Sequence, residues 1–170
     1  MYNYLANMNV DLGVRVNPDE IEHEQNVSKL ESGRIARNLI KKYINERVSF
    51  HQETTLVSRT IAGYIADAKK KNFTVNLYYV MVESADLAVE RSRKRFEEGG
   101  HFVPEEQVRR SYNNSQRDFP QVIDLCDYIE VWDNTSRLEL VCSFVNGKLE
   151  PLFKDLPVYF NFMFPVNERA

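Results

Sequence analysis

The sequence predicts an α/β sandwich with a mostly parallel sheet, on three observations. Helical and strand-like patterns alternate along the chain. The longest strand-like run, residues 73–82 (FTVNLYYVMV), is apolar on both faces, as a central parallel strand is. No repeat, low-complexity tract or Gly/Ser/Pro-rich linker divides the 170 residues, a length that fits one domain better than two. With 43% hydrophobic and 12% aromatic residues, the chain can bury a sizeable core, which argues against disorder.

The elements follow in order. Residues 13–16 form the first strand candidate, ended by Pro18. Residues 32–47 place Ile35, Leu39, Ile40, Tyr43 and Ile44 at helical spacing between charges. A short strand is expected at 48–51. A second helical pattern then carries Ile61, Tyr64, Ile65 and Ala68 on one face, closed by Lys69 to Lys71. After the 73–82 strand, Ser84 can cap a helix that runs to Glu98 and stops at Gly99-Gly100. Pro104 suits the first turn of a further helix reaching about Ser115. Residues 128–132 read as another buried strand. Asn146-Gly147, between 141–145 and 148–153, marks a C-terminal β-hairpin. The tail 156–170, rich in Tyr159, Phe160, Phe162, Met163 and Phe164, is expected to pack on the domain.

Composition narrows the function. Charges of 22 basic and 25 acidic residues sum to −3, which excludes a strongly basic nucleic-acid binder and an acidic tail protein. No apolar run approaches the roughly 18 residues of a membrane helix. The first fourteen residues hold no Lys or Arg and no apolar run follows, so no secretory signal is expected and the reading is a cytoplasmic protein. Two cysteines cannot build a disulfide framework or a four-ligand zinc site. The histidines and cysteines show no metal spacing, and His23-Glu24 lacks the second histidine of a zinc-protease helix. There is no Gly-x-Ser-x-Gly elbow. Gly147-Lys148 is the one Gly-Lys pair; Leu149 follows it, and Cys142 stands where the first glycine of a phosphate loop belongs.

In an α/β architecture ligands sit at the carboxyl ends of strands, so the polar clusters there carry the chemistry. Asp19 and Glu20 follow the first strand. A carboxylate there can take a proton from a substrate hydroxyl, or simply complement a helix dipole. Glu53, Thr54 and Thr55 follow the second strand. They can grip a polyol or nucleotide sugar, and a threonine can also cap the next helix. Arg91, Arg93, Lys94 and Arg95, then Gly99-Gly100-His101, then Arg109-Arg110, read as a hinged lid over phosphates, which the planar arginine fork binds bidentately. The alternative is a solvated face with Glu90, Glu97 and Glu98 as ion-pair partners. RNA binding is disfavoured, since no aromatic-rich basic groove accompanies the arginines. Asp133-Asn134-Thr135 after the 128–132 strand is an Asx turn or a loop contacting a base or ribose.

Taken together, the clusters resemble the zeta toxin family of P-loop kinases. The resemblance runs through Val16-Asn17-Pro18-Asp19-Glu20-Ile21, Ser32-Gly33-Arg34-Ile35-Ala36 and Phe50-His51-Gln52-Glu53-Thr54-Thr55-Leu56. It continues through Leu77-Tyr78-Tyr79-Val80, Glu90-Arg91, Arg95, Gly99-Gly100-His101, Val103-Pro104-Glu105-Glu106, Arg109-Arg110 and Asp133-Asn134-Thr135. It implies a three-layer P-loop NTPase-like fold and transfer of the ATP γ-phosphate, with Mg2+, to a hydroxyl. In the characterised toxins the acceptor is UDP-N-acetylglucosamine. By the same resemblance Asp19 matches the general base, and Glu53 with Thr54 or Thr55 the acceptor-positioning segment. Arg95 matches a lid arginine, with Arg91 and Arg110 as further candidates, and Asp133 and Asn134 match a loop near the adenine.

Two positions depart from the pattern. Ser111 stands where many relatives carry arginine before the aromatic, here Tyr112, and His101 stands where some toxins place a second lid arginine. The family also begins with a strand and a phosphate-binding loop about 20 to 30 residues before the Asn-Pro-Asp-Glu segment. Met1 lies sixteen residues before Asn17, and residues 1–12 resemble the tail of the helix after that loop. The expectation is therefore a single kinase domain over 1–170, truncated at its N-terminus and extended from about residue 150. The function expected of the intact product is phosphorylation of a small hydroxyl-bearing metabolite, a nucleotide sugar among the candidates, whereas the chain as it stands, without the phosphate-binding loop, is not expected to be a competent kinase. The alternative is a catalytically inactive remnant that binds an antitoxin-like helical protein. Neither reading calls for nucleic acid or a membrane.

Overall fold

Short strands alternate with longer helices in the computed structural model, which describes residues 1–56, 58–150 and 157–160. They gather into two compact units, Met1–Thr54 with Gly63–Thr74, and Thr55–Ala62 with the described residues from Val75 on.

The first unit opens with helix α1 (Tyr2–Asn7), which buries Leu5. Strand β1 (Val14–Val16) follows Gly13. That glycine has φ +65°, and a Cβ on it would lie 2.3 Å from the Ser49 carbonyl oxygen, so no other residue fits without a shift of backbone. β1 pairs in parallel with β2 (Phe50–Gln52), setting Arg15 opposite His51 and Val16 opposite Gln52. Pro18 ends β1 and opens α2 (Pro18–Gln25), where Asn17 Oδ1 accepts from the Asp19 backbone N–H at 3.0 Å. Helix α3 (Lys29–Glu46) is capped by Ser28 and buries Ser32, Ala36, Ile40 and Ile44, one residue per turn. α3 packs against α2. It ends at Arg47 in the left-handed region, with Val48 N–H bonded to the Tyr43 carbonyl at 2.9 Å. That closing turn delays β2 by two residues relative to the expected 48–51. Helix α4 (Ser58–Lys70) buries Ile65 and Ala68 and carries Lys69 and Lys70 in its last turn, where they complement the dipole.

The second unit holds a four-stranded sheet in the order β3-β4-β5-β6. β3 (Asn76–Met81) runs parallel to β4 (Tyr128–Asp133), and β5 (Glu139–Val145) and β6 (Lys148–Leu149) follow antiparallel. The expected hairpin is there, with Asn146 at φ 50° and Gly147 at φ 77°, the signs a type I′ turn requires. Its second arm was expected to reach 153, and residues past 150 there lie outside the described ones. The 73–82 run is less buried than its composition implies. β3 pairs only with β4 among the described residues, so Tyr79 and Met81 are buried while Val80 is exposed.

Ile129, Val131, Val141, Cys142 and Phe144 are at most 1% exposed and form the core of this sheet with Phe119, Val122 and Ile123. The Phe119 ring lies 4.3 Å from that of Tyr79. Helix α5 (Ala85–Glu97) is capped by Ser84, whose Oγ accepts from Leu87 N–H at 3.2 Å. Helix α6 (Glu105–Asp118) starts after Pro104 and runs three residues past Ser115, leading into the short α7 (Pro120–Ile123). In the C-terminal tail, Phe160 is fully buried in a short 3-10 turn, as the packing expectation requires. Phe162, Met163 and Phe164 lie outside the described residues. No helix among the described residues is long and apolar enough to cross a membrane.

Candidate functional site

In the first unit, Asp19 and Glu53 leave the same ends of two parallel neighbours. Val16 sits opposite Gln52, so both carboxylates emerge just past the β1 and β2 exits. Asp19 lies in the first turn of α2 together with Glu20, and its side chain is exposed. The dipole-complementing reading of these acids is therefore realised, and the Asp19 carboxylate still faces solvent. Glu20 is tied down, with Arg15 Nη2 2.9 Å from its Oε1. The same Nη2 is 3.9 Å from Glu53 Oε1. Thr54 and Thr55 are exposed and stand before α4, across residue 57, which lies outside the described residues.

Behind these acids lies a cluster that no local motif announces. The Arg15 guanidinium lies 4.0 Å from the centroid of the Tyr2 ring, within cation–π range. Tyr2 in turn stacks on His51 at 5.2 Å and 16°. His51 Nδ1 is 3.0 Å from the Leu12 carbonyl, which can only accept, so that nitrogen carries the hydrogen. Arg15 Nε and His51 Nε2 are buried without a hydrogen-bond partner among the described residues. The available signal was an arginine between two valines, Val14 and Val16, inside a strand.

In the second unit the basic residues separate by partner. Arg91 sends Nη1 to the Asn134 carbonyl and Nη2 to the Thr135 carbonyl at 2.7 Å, so its fork binds the loop after β4. Arg93 is 3.7 Å from Glu97, Arg110 is 2.5 Å from Glu106, and Arg109 bridges Asp86 at 2.7 Å and Glu105 at 2.8 Å. The solvated-face alternative thus accounts for these three, with Glu97 and Asp86, and neither Glu90 nor Glu98, as the partners on α5. Arg95 is exposed, and its side chain makes no hydrogen bond or ion pair among the described residues. His101 is likewise exposed in the loop between α5 and α6. That loop turns at Gly99, φ +93°, and at Gly100, whose N–H bonds the Arg95 carbonyl at 2.8 Å.

Asp133-Asn134-Thr135 is an Asx turn. Asp133 Oδ1 accepts from Thr135 N–H at 2.8 Å and from its hydroxyl at 2.6 Å. Asn134 N–H binds the Met81 carbonyl at 2.8 Å, and Glu83 N–H binds Thr135 Oγ1 at 3.0 Å. The turn thereby joins the exits of β3 and β4. The Tyr159 hydroxyl meets Thr135 Oγ1 at 3.2 Å, and burial, then the nearby Asp133 and Glu83 carboxylates, push its phenol up to about 12.

The architecture matches a structure from the molecular and structural characterization of the PezAT chromosomal toxin–antitoxin system of Streptococcus pneumoniae. The TM-score is 0.59 at 9% identity, covering 98% of this chain and 78% of that one. The chain thus shares the mixed α/β fold of that structure. The sequence model of the zeta toxin family matches residues 16–140, well over half of the chain, and the chain belongs to the zeta toxin family. It is a kinase-like member of a toxin family. An uncharacterized protein of Haemophilus influenzae is 27% identical over 101 residues, 59% of this chain and 69% of that protein. The family in general uses a nucleotide and Mg2+. Among the described residues, however, no three His, Cys, Asp or Glu side chains gather to hold a metal ion. A nucleotide-bound magnesium takes most of its ligands from phosphates and water and needs only one or two protein carboxylates.

Proposed function

We propose that the chain carries the acceptor side and the lid of an ATP-dependent kinase that phosphorylates a hydroxyl of a nucleotide sugar or similar metabolite in the cytoplasm. The observation that carries this reading is the exposed Asp19 carboxylate at the β1 exit, with Glu53 at the exit of its parallel neighbour. In the transfer, the acceptor oxygen attacks the γ-phosphorus and the bond to the β,γ-bridging oxygen breaks. ADP leaves with that electron pair, and the hydroxyl proton passes to Asp19. Glu53, Thr54 and Thr55 hold the acceptor by hydrogen bonds.

The roles on the second unit are those of the lid. Arg95 has no partner among the described residues and is the arginine available to a phosphoryl group. Arg110 would have to leave Glu106, an exposed pair of small worth. Arg91 serves by holding Asn134 and Thr135, beside Asp133, in the loop assigned to the nucleotide base. His101 stands at the hinge. A single kinase domain over residues 1–170, with an antitoxin protein as its partner, completes the reading.

Calorimetric titration with ATP and Mg2+, and transfer of labelled γ-phosphate to UDP-N-acetylglucosamine, test it. Asp19→Ala is expected to abolish transfer while ATP binding survives. Transfer by that variant at the wild-type rate would sink the assignment of the base. A wild-type chain that neither binds ATP nor transfers phosphate would replace the kinase reading with that of a protein-interaction domain.

A further inference from the structure

We infer that Arg15 is a positioning residue, one guanidinium that sets the Glu20 and Glu53 carboxylates at the exits of β1 and β2. The inference deepens the acceptor-binding reading, and it rests on that reading for the role of Glu53. Three observations on different elements converge on Arg15. From the front, its Nη2 meets Glu20 at 2.9 Å and lies 3.9 Å from Glu53, within ion-pair reach, so one cation faces carboxylates from two segments. From behind, the guanidinium plane is backed by Tyr2 at 4.0 Å, and Tyr2 by His51, which Leu12 fixes through Nδ1. From the side, the parallel register holds Arg15 opposite His51, each in the middle of its strand.

The arrangement has a cost that a purely structural arginine would not carry. Arg15 Nε and His51 Nε2 are buried and unsatisfied among the described residues, and unpaired buried polar groups are destabilising. Local rules of this kind are broken where function repays the loss. The reward is electrostatic. Asp19, Glu20 and Glu53 are three carboxylates at neighbouring strand exits, and a cation between two of them keeps Glu53 from being pushed away by its neighbours. Lysine cannot substitute, because a point charge on a flexible stem neither stacks on Tyr2 nor presents a planar fork.

Two measurements on the full chain test the inference, and the first is independent of catalysis. The Arg15 Nε–Hε signal in a nitrogen–proton NMR spectrum is expected to lie away from its random-coil position, because of the Tyr2 ring current. It should move in Glu53→Gln and return toward random coil in Tyr2→Ala. A wild-type signal at the random-coil position, unmoved by Glu53→Gln, overturns the inference. The second uses ATP, Mg2+ and UDP-N-acetylglucosamine as the probe acceptor. Arg15→Met is expected to raise the acceptor KM about tenfold with kcat within about twofold. Its melting temperature is expected to fall by a few degrees at most, since the lost Glu20 pair is part-exposed and a buried unsatisfied N–H goes with it.

Arg15→Lys should not restore the KM, and Arg15→Met should add nothing on top of Glu53→Gln. A parallel loss of kcat and stability in Arg15→Met would assign Arg15 to the scaffold instead. If wild type transfers no phosphate to the probe, the kinase reading of this chain fails, while the NMR signal still decides whether Arg15 holds Glu53.

Discussion

Cys142 sits on β5 opposite Val131, fully buried, and burial pushes its thiol from an ordinary 9.0 up to about 12. The Tyr79 phenol moves from 10.0 to about 12 for the same reason, its bond to Ser115 only partly offsetting the burial. Both groups are neutral when protonated, so the folded state holds their protons more tightly than the unfolded chain does. Their contribution is complete below the unfolded values, and it is lost as pH rises toward the folded ones. The urea midpoint is therefore expected to be unaffected by these groups up to about pH 9 and to fall between about pH 9 and 12. A midpoint that rises over that interval would contradict the burial of both. Neither shift was visible in the sequence, where Cys142 is one of two cysteines and Tyr79 one of nine tyrosines. What distinguishes them is the neighbours the fold brings, Val131 of the sheet beside one and the Phe119 ring at the end of α6 beside the other.

At the level of elements, Arg91 and Arg95 lie about one turn apart on α5 and do different things. Arg91 spends both terminal nitrogens on the Asn134 and Thr135 carbonyls, whereas Arg95 points its charge at solvent. Arg91→Lys keeps the charge and loses the fork, so it is expected to cost about 1–3 kcal/mol in urea unfolding. Arg95→Lys is expected to leave stability within about 0.5 kcal/mol of wild type. Equal losses in the two variants would remove the distinction.

Helix ends were legible because their signals are local. Asn17-Pro18, Ser84 and Gly99 act within a few residues, and each marks an observed boundary. Strand placement was less so. The 73–82 run carries the composition of a central strand, yet which neighbours it acquires depends on residues some fifty positions away, as the pairing of Tyr79 with Val131 illustrates. The Arg15 cluster was hidden for the same reason, since Tyr2, Arg15 and His51 meet only through the β1–β2 register. Asp19 and Glu53, by contrast, could be read as strand-exit acids from Pro18 and the polar run after Gln52.

On the scale of the whole molecule, two compact units share one continuous helix. The division between them falls inside α4, with Ala62 on one side and Gly63 on the other. Helix formation is cooperative along its length, so the units are expected to unfold in one transition. The chain carries a natural probe for this. Trp132 is its one tryptophan, 8% exposed on β4, with its indole N–H on Glu130 at 2.9 Å. Its fluorescence therefore follows the four-stranded sheet alone, whereas far-ultraviolet ellipticity also weighs α3, the 18-residue helix of the other unit. Coincident fluorescence and ellipticity curves in urea are expected, and separated midpoints would mean that α4 does not couple the units. Excited where only indole absorbs, the unit with Trp132 glows and the other, which holds Tyr2, Tyr4, Tyr43 and Tyr64 but no tryptophan, stays dark.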